Sequence, residues 1–275
     1  MKIIVDNGGT KSDWMVVDQN RHFSDIGINL FDTKKSIVSN FKSSIPPDLI
    51  HVQDLAIDFY TAGNTVNTTL KLKEIFKIHF PNIQISIFSD LLAASRAVFK
   101  NEKGITCILG TGSNCAYYDG NNNHSFFVSS GHIFADEGSG YDLGKRMLQS
   151  YFRNELSDHL EKDIHIQTGF KKEDLISHVY SLKNHKPFIA SLSKIVNKNK
   201  SDHKIKEIIF DSFEDFFQMY PFKIPNYKKL KFGFIGSIAF NFQKQIHELM
   251  CRHSIEYEII EKPILNLANY YRKKS

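Results

Sequence analysis

The chain has 275 residues, of which 41% are hydrophobic and 24% charged, with a net charge of +5. That length fits one large domain or two ordinary ones, and the composition is that of a soluble globular protein. The basic surplus is spread out apart from 198–206 and 272–274, which read as solvated charge and not as a nucleic-acid footprint.

The three cysteines, Cys107, Cys115 and Cys251, form no CxxC, and their odd count and wide spacing argue against a disulfide framework or a zinc site. A reducing compartment suits them. The sequence opens directly on an apolar segment with no signal-peptide pattern, and no apolar run reaches membrane-spanning length. The expectation is a cytoplasmic protein with a small-molecule substrate, no nucleic acid and no membrane. A homodimer is kept open.

Lys2–Val5 is rich in β-branched residues and predicts a strand. Asp6-Asn7-Gly8-Gly9-Thr10-Lys11 then turns the chain into a returning strand over 12–18. Asn-Gly-Gly has the composition of a tight hairpin. Glycines there also let backbone N–H groups approach an anion, and Thr10 and Lys11 add a hydroxyl and a cation. Asp6, at the strand end, suits a hydrated Mg²⁺. An ordinary hairpin explains the same residues.

His22–Gly27 predicts a third strand, followed by a loop through Asn29. Thr33 caps a helix to Lys42, and Leu55–Tyr60 is a strand. Apolar residues at helical spacing fill 65–79, Ile83–Phe88 alternates as a strand, and Ser89-Asp90 caps an Ala-rich helix to Phe99. Three strands feeding crossover helices predict a mixed sheet covered by helices.

Ile105–Leu109, then Gly110-Thr111-Gly112-Ser113, then Cys115–Tyr118 repeats the opening theme of strand, Gly/Thr turn and strand. Two such turns can hold one polyphosphate. A turn at 119–123 leads to a predicted strand over Phe126–Val128. Asp136-Glu137-Gly138 precedes a helix predicted over 141–157 and reads equally as a loop plus a capped helix. Residues 158–220 are mostly helical, and Phe210, Phe213, Phe216 and Phe217 lie at core-facing helical spacing. Leu230–Ile235 is a late strand, Gly236-Ser237 a turn, 238–250 a helix, Tyr257–Ile260 a last strand and 263–272 a closing helix.

Taken in order, VDNGGTK at 5–11, SDLLAAS at 89–95, LGTGSNC at 109–115, GHIFADEGSGYDLG at 131–144 and FIGSIA at 234–239 resemble the N-acetylglucosamine kinase family. That family lies within the BadF/BadG/BcrA/BcrD-type ATPases of the actin-like ATPase superfamily. The resemblance runs from Lys2 to about Phe242 and is weakest over 158–225.

It implies an α/β fold of two actin-like, ribonuclease H-like lobes, each a mixed sheet covered by helices, with an interlobe cleft. The lobes are expected at 1–103, with a C-terminal helix within 263–275 packing back, and at 104–262. A cleft of this kind is expected to close on its ligands. The implied activity is ATP-dependent phosphorylation of a sugar hydroxyl, with the 6-hydroxyl of N-acetylglucosamine or a related amino sugar as acceptor.

Carried over, Asp6, Gly8, Gly9, Thr10 and Lys11 form the first phosphate turn, Gly110, Thr111, Gly112 and Ser113 the second, and Gly236 and Ser237 the adenosine turn. Asp90 is the catalytic base, Asn29, Asp90, Gly131 and Asp136 hold the sugar, and Asp6 orders Mg²⁺. In isolation Asp90 reads as an N-cap; beside two phosphate turns it reads as a carboxylate that accepts a hydroxyl proton.

Two positions depart from the family: Ala135 stands where glycine is usual, and Ser130 where an aromatic residue often lines the sugar pocket. The alternatives are an ATPase that couples hydrolysis to a partner protein, and a catalytically silent sugar-binding regulator. Cys107 and Cys115 do not offer the cluster-ligating arrangement of the dehydratase-activating ATPases, and retention of Asp90 argues against the regulator.

Overall fold

The computed structural model describes residues 1–8, 11–50 and 52–272, so Gly9 and Thr10 of the first turn lie outside the described residues. The chain divides into two compact units: residues 1–102, 119–123 and 262–275 form the first, and 103–118 with 124–261 the second.

In the first unit, β1 (Lys2–Asn7), β2 (Lys11–Val16) and β3 (Arg21–Ile26) form an antiparallel meander. After α1 (Lys34–Ser44), β4 (Ala56–Thr61) returns parallel to β1. After α2 (Val66–His79), β5 (Gln84–Ser89) adds parallel to β4 and leads into α3 (Asp90–Phe99). The sheet order is β3-β2-β1-β4-β5. The C-terminal helix, Ile264–Arg272, packs on α3, β1 and β2.

Burial on both faces explains the near-continuous apolar run of β1, where Ile3, Ile4 and Val5 are all fully buried. Ile3 and Val5 join Trp14, Phe41, Phe59 and Phe76 in one core. The Trp14 ring stacks on Phe23, and its indole N–H donates to Ser12 Oγ at 2.8 Å, so the buried donor is satisfied.

The second sheet repeats this plan. β6 (Gly104–Leu109), β7 (Ser113–Tyr118) and the two-residue β8 (Asn123–His124) form the meander. A helical stretch follows: α4 (Gly131–Phe134), α5 (Gly140–Phe152), α6 (Asp158–Thr168), α7 (Lys172–Ser181), α8 (Lys186–Ser191), α9 (Ser193–Lys198) and α10 (His203–Met219). β9 (Lys231–Ile235) then pairs parallel to β6. α11 (Ser237–Asn241) and α12 (Gln243–His253) lead to β10 (Tyr257–Ile260), giving the order β10-β9-β6-β7-β8. Phe213, Phe216, Phe217, Phe232, Phe234 and Phe242 are all fully buried in its core.

The predicted strand over 126–128 does not form. Phe126 and Val128 are 49% and 84% exposed, so no core face draws them into the sheet. The helix expected over 141–157 starts at Gly140, where Ser139 Oγ caps the Asp142 N–H, and ends at Phe152. The helix expected over 238–250 is two helices. Phe242, fully buried, sits at their junction out of helical conformation (φ −110°, ψ 26°).

Candidate active site

In the first unit, β1, β3, β4 and β5 run in the same direction, so their carboxyl ends share one edge. Ligand sites of open α/β sheets lie on that edge. Asp6 is the second-last residue of β1, and Asp90 is the first residue of α3, directly after β5. Asn29 lies on the loop that leaves β3.

Ser89 caps α3, its hydroxyl accepting from the Leu92 N–H at 3.2 Å. The N-cap reading therefore belongs to Ser89, and Asp90 is a half-buried carboxylate just inside the helix. Its Oδ1 accepts from the Leu91 N–H at 2.8 Å. Burial raises the Asp90 pKa, although the N–H groups of Leu91 and of Asp90 itself pull it down. Asp6 is pushed up to about 7, first by burial and then by repulsion from Asp90 and Asp13, with Lys262 opposing.

A half-buried carboxylate among other carboxylates is short of positive charge. That chemistry fits Mg²⁺, which commonly takes one or two protein carboxylates, substrate phosphates and waters. Gly8 N–H donates to Lys11 O at 3.0 Å, closing the turn between β1 and β2. Lys11 is well exposed, its ammonium 3.9 Å from Asp13.

The sequence reading missed what holds Asn29 in place. Asn7 is fully buried. Its Nδ2 donates to Ile28 O at 2.8 Å and to Thr61 Oγ1 at 2.9 Å, while its Oδ1 accepts from the Ile28 N–H at 2.7 Å. Ile28 and Leu30 are buried and Asn29 between them is exposed, so the loop is fastened on both sides of the candidate sugar contact. Asn7→Ala leaves the Ile28 amide and carbonyl unpaired in a buried place, at a cost of about 1–3 kcal/mol. The expected result is a clear rise in KM for the acceptor with nucleotide KM little changed. Steady-state kinetics check this, and an unchanged acceptor KM would detach Asn29 from the acceptor site.

In the second unit, β6 and β9 are parallel and paired at Ile108 with Ile235, which brings the turns that follow them together. A Cβ on Gly236, whose φ is +112°, would lie 2.5 Å from Leu109 O. Ser237, the next residue, is exposed at the start of α11.

Gly110 N–H donates to Gly112 O at 2.9 Å, so the second turn closes on itself. Its outward carbonyls, Gly110 O and Thr111 O, accept from the Gly140 and Tyr141 N–H groups at the start of α5. Asp136, 5% exposed and at φ +72°, reaches the same turn: its Oδ1 accepts from the Ser113 N–H at 3.1 Å. Its Oδ2 lies 2.7 Å from Lys186 Nζ. The structure thus places Asp136 against the turn Gly110–Ser113, paired with a lysine that no motif pointed to.

Gly131 starts the short α4, with open space where a Cβ would stand. His132 beside it is held below the usual imidazole pKa by burial and by the charges of Lys186 and His185. A small cavity of about 20 Å³ is lined by Ser113, Cys115, Phe127, Ser129, Ser130 and Asp136, among others. Cys107 and Cys115 are both buried, as core residues should be.

These two sheets, with one topology repeated around a central strand, are the architecture implied by the motif set. The solved structure of a candidate N-acetylglucosamine kinase from Porphyromonas gingivalis superimposes on 99% of this chain and 99% of its own, with a TM-score of 0.90 at 27% identity. This is an actin-like sugar-kinase fold.

A ROK family glucokinase from Streptomyces griseus, solved with glucose and AMPPNP, shares the sugar-kinase fold at 14% identity (TM-score 0.59, covering 99% of this chain and 98% of that one). The N-acetylmuramic acid/N-acetylglucosamine kinase of Clostridium acetobutylicum is 33% identical over 141 residues, 49% of this chain and 46% of that protein. The match therefore spans about half the length of that curated relative. No family model matches the chain. No helix among the described residues is long and apolar enough to cross a membrane.

Proposed function

We propose that this protein transfers the γ-phosphoryl group of ATP to a sugar hydroxyl, with the 6-hydroxyl of N-acetylglucosamine as the first acceptor and N-acetylmuramic acid as the second. The observation that carries this reading is the edge shared by Asp6, Asp90 and the Asn29 loop. A base, a carboxylate short of a cation and a hydroxyl-binding amide stand at the carboxyl ends of the strands of one sheet.

The acceptor hydroxyl oxygen attacks the γ-phosphorus as its proton passes to the Asp90 carboxylate. The bond from the γ-phosphorus to the bridging oxygen breaks, and ADP leaves with that oxygen. Burial makes Asp90 a stronger base than an ordinary surface carboxylate, which brings it nearer the pH at which it must work. Gly110, Thr111, Gly112 and Ser113 take the phosphates, with Gly8, Gly9, Thr10 and Lys11 as the first phosphate turn, and Gly236 and Ser237 take the nucleoside. Mg²⁺, when bound with ATP, neutralises phosphate charge, and Asp6 orders its water shell.

Asn29 presents its amide N–H groups to ring hydroxyls while its Oδ1 accepts from the Phe31 N–H at 3.1 Å, and Gly131 with its open surroundings leaves room for the ring. Asp136 offers the remaining lone pairs of its carboxylate to the acceptor, its oxygens already engaged by the Ser113 N–H and Lys186. The Porphyromonas gingivalis protein is named for N-acetylglucosamine, and the Clostridium acetobutylicum kinase for both sugars.

A coupled ADP-release assay over N-acetylglucosamine, N-acetylmuramic acid, glucose and glucosamine, with a sugar-free control, tests the proposal. Stimulation by an acetylated sugar, at least 10-fold over the control, is expected. Equal ADP release with and without every sugar would overturn it in favour of an ATPase coupled to a protein partner.

A further inference from the structure

We infer that Lys186 is a phosphate-binding residue of the turn Gly110–Ser113, held over that turn by Asp136. The inference rests on the phosphoryl-transfer reading of the turn and adds a residue from the stretch where the resemblance is weakest.

Three observations place the ammonium. Lys186 Nζ is 2.7 Å from Asp136 Oδ2, and the other oxygen of the same carboxylate accepts the Ser113 N–H. The ion pair is therefore fastened to the last residue of the turn. A Cβ built on Gly112 would lie 2.8 Å from Lys186 Nζ and 2.8 Å from Asp136 Oδ2. The pair thus stands against the turn itself, and glycine at 112 is what makes room for it.

The turn is also left with donors to spare. Its carbonyls at Gly110, Thr111 and Gly112 are all occupied by backbone N–H groups. Among the described residues, nothing accepts from the Thr111 or Gly112 N–H. A turn with satisfied carbonyls, spare N–H groups and an ammonium over it is a cradle for an anion.

Lysine suits that task. Its ammonium has three donors, and Asp136 uses one. The lysine side chain is 27% exposed while the carboxylate is only 6% exposed, so Asp136 holds from inside and the ammonium keeps access to solvent. The ligand chemistry is a nucleoside di- or triphosphate, read through its β- and γ-phosphates. A purely structural pair would also need burial of both charges to be compensated, but it would not discriminate between nucleotides.

That difference is the test. Full-length wild type, Lys186→Gln and Lys186→Arg are titrated by calorimetry with ADP and with adenosine, both in Mg²⁺. Loss of one charge-assisted contact predicts that Lys186→Gln binds ADP about 10- to 100-fold more weakly. Adenosine affinity should stay within twofold, and Lys186→Arg should recover most of the ADP affinity. If Lys186→Gln strands the Asp136 charge and unfolds, the double variant Asp136→Asn/Lys186→Gln removes both charges and is titrated instead, with the same expectation.

ADP affinity within twofold of wild type, or equal losses for ADP and adenosine, overturns the assignment. A wild type that does not bind ADP overturns it together with the phosphate-turn reading. A wild type that binds ADP through Lys186 but shows no sugar-stimulated ADP release leaves Lys186 standing and removes the sugar-kinase reading alone.

Discussion

Asp90→Asn is expected to lower kcat by at least about 10²-fold while nucleotide affinity stays near wild type. Loss of a positioned general base typically costs 10²–10⁴-fold. The fold should survive, because the helix cap is Ser89 and an asparagine oxygen can still accept the Leu91 N–H. Under the proposed assignment the nucleotide is held by the turns Gly110–Ser113 and Gly236–Ser237, which Asp90 does not build, so nucleotide binding has no reason to fall with the rate.

The pH dependence sharpens this expectation. Burial raises the Asp90 pKa, so the ionised base is lost at a higher pH than for an ordinary aspartate as the solution is acidified. Wild-type kcat should therefore fall on the acid side through that raised pKa. The small residual rate of Asp90→Asn should be flat over the same range. Single-turnover measurements with saturating sugar separate chemistry from product release. Near wild-type turnover in the variant would remove Asp90 from the mechanism.

How much of this was legible in the sequence depends on what each feature rests on. Strands and the turns after them were readable because β-branched runs and Gly/Thr punctuation are local signals. The duplicated plan was readable for the same reason, since β1–β2 and β6–β7 repeat one pattern. The strand expected at 126–128 failed because apolar character alone was read as strand, while the chain leaves Phe126 and Val128 largely in solvent. The break at Phe242 was hidden because a tertiary demand, one buried phenylalanine, overrides helical periodicity.

In the site, the carboxylates and glycines stood in motifs, but their partners did not. Asn7 looked like part of a hairpin, and its side chain turned out to fasten a loop 21 residues away. Lys186 lies 50 residues from Asp136, in a helical stretch where one lysine resembles another. Only the packing of α8 on α5 brings it to the turn.

Asp6→Asn is expected to make the ligand-free protein more stable at neutral pH and to abolish the Mg²⁺ dependence of ADP binding. The argument starts from the unfolded chain, where Asp6 ionises near 3.8, and from the folded protein, where it is pushed up to about 7. Between those values the folded state binds more protons than the unfolded state. Folding stability therefore falls as pH rises through that window, and above about 7 the penalty is fully present. A displacement of this size is worth up to about 4 kcal/mol. Its causes are burial and the charges of Asp90 and Asp13, none of which a neutral asparagine feels. At pH 4 the two proteins should unfold alike, and at pH 8 the variant should be the more stable. Mg²⁺ with ADP should close the gap from the other side, because a cation placed by Asp6 relieves the same repulsion and stabilises only the protein that retains the carboxylate. Urea titrations at the two pH values, with and without Mg²⁺ and ADP, give all four quantities. Parallel pH profiles for the two proteins would mean that Asp6 carries no such strain, and Mg²⁺-dependent ADP binding in Asp6→Asn would move the metal to another carboxylate.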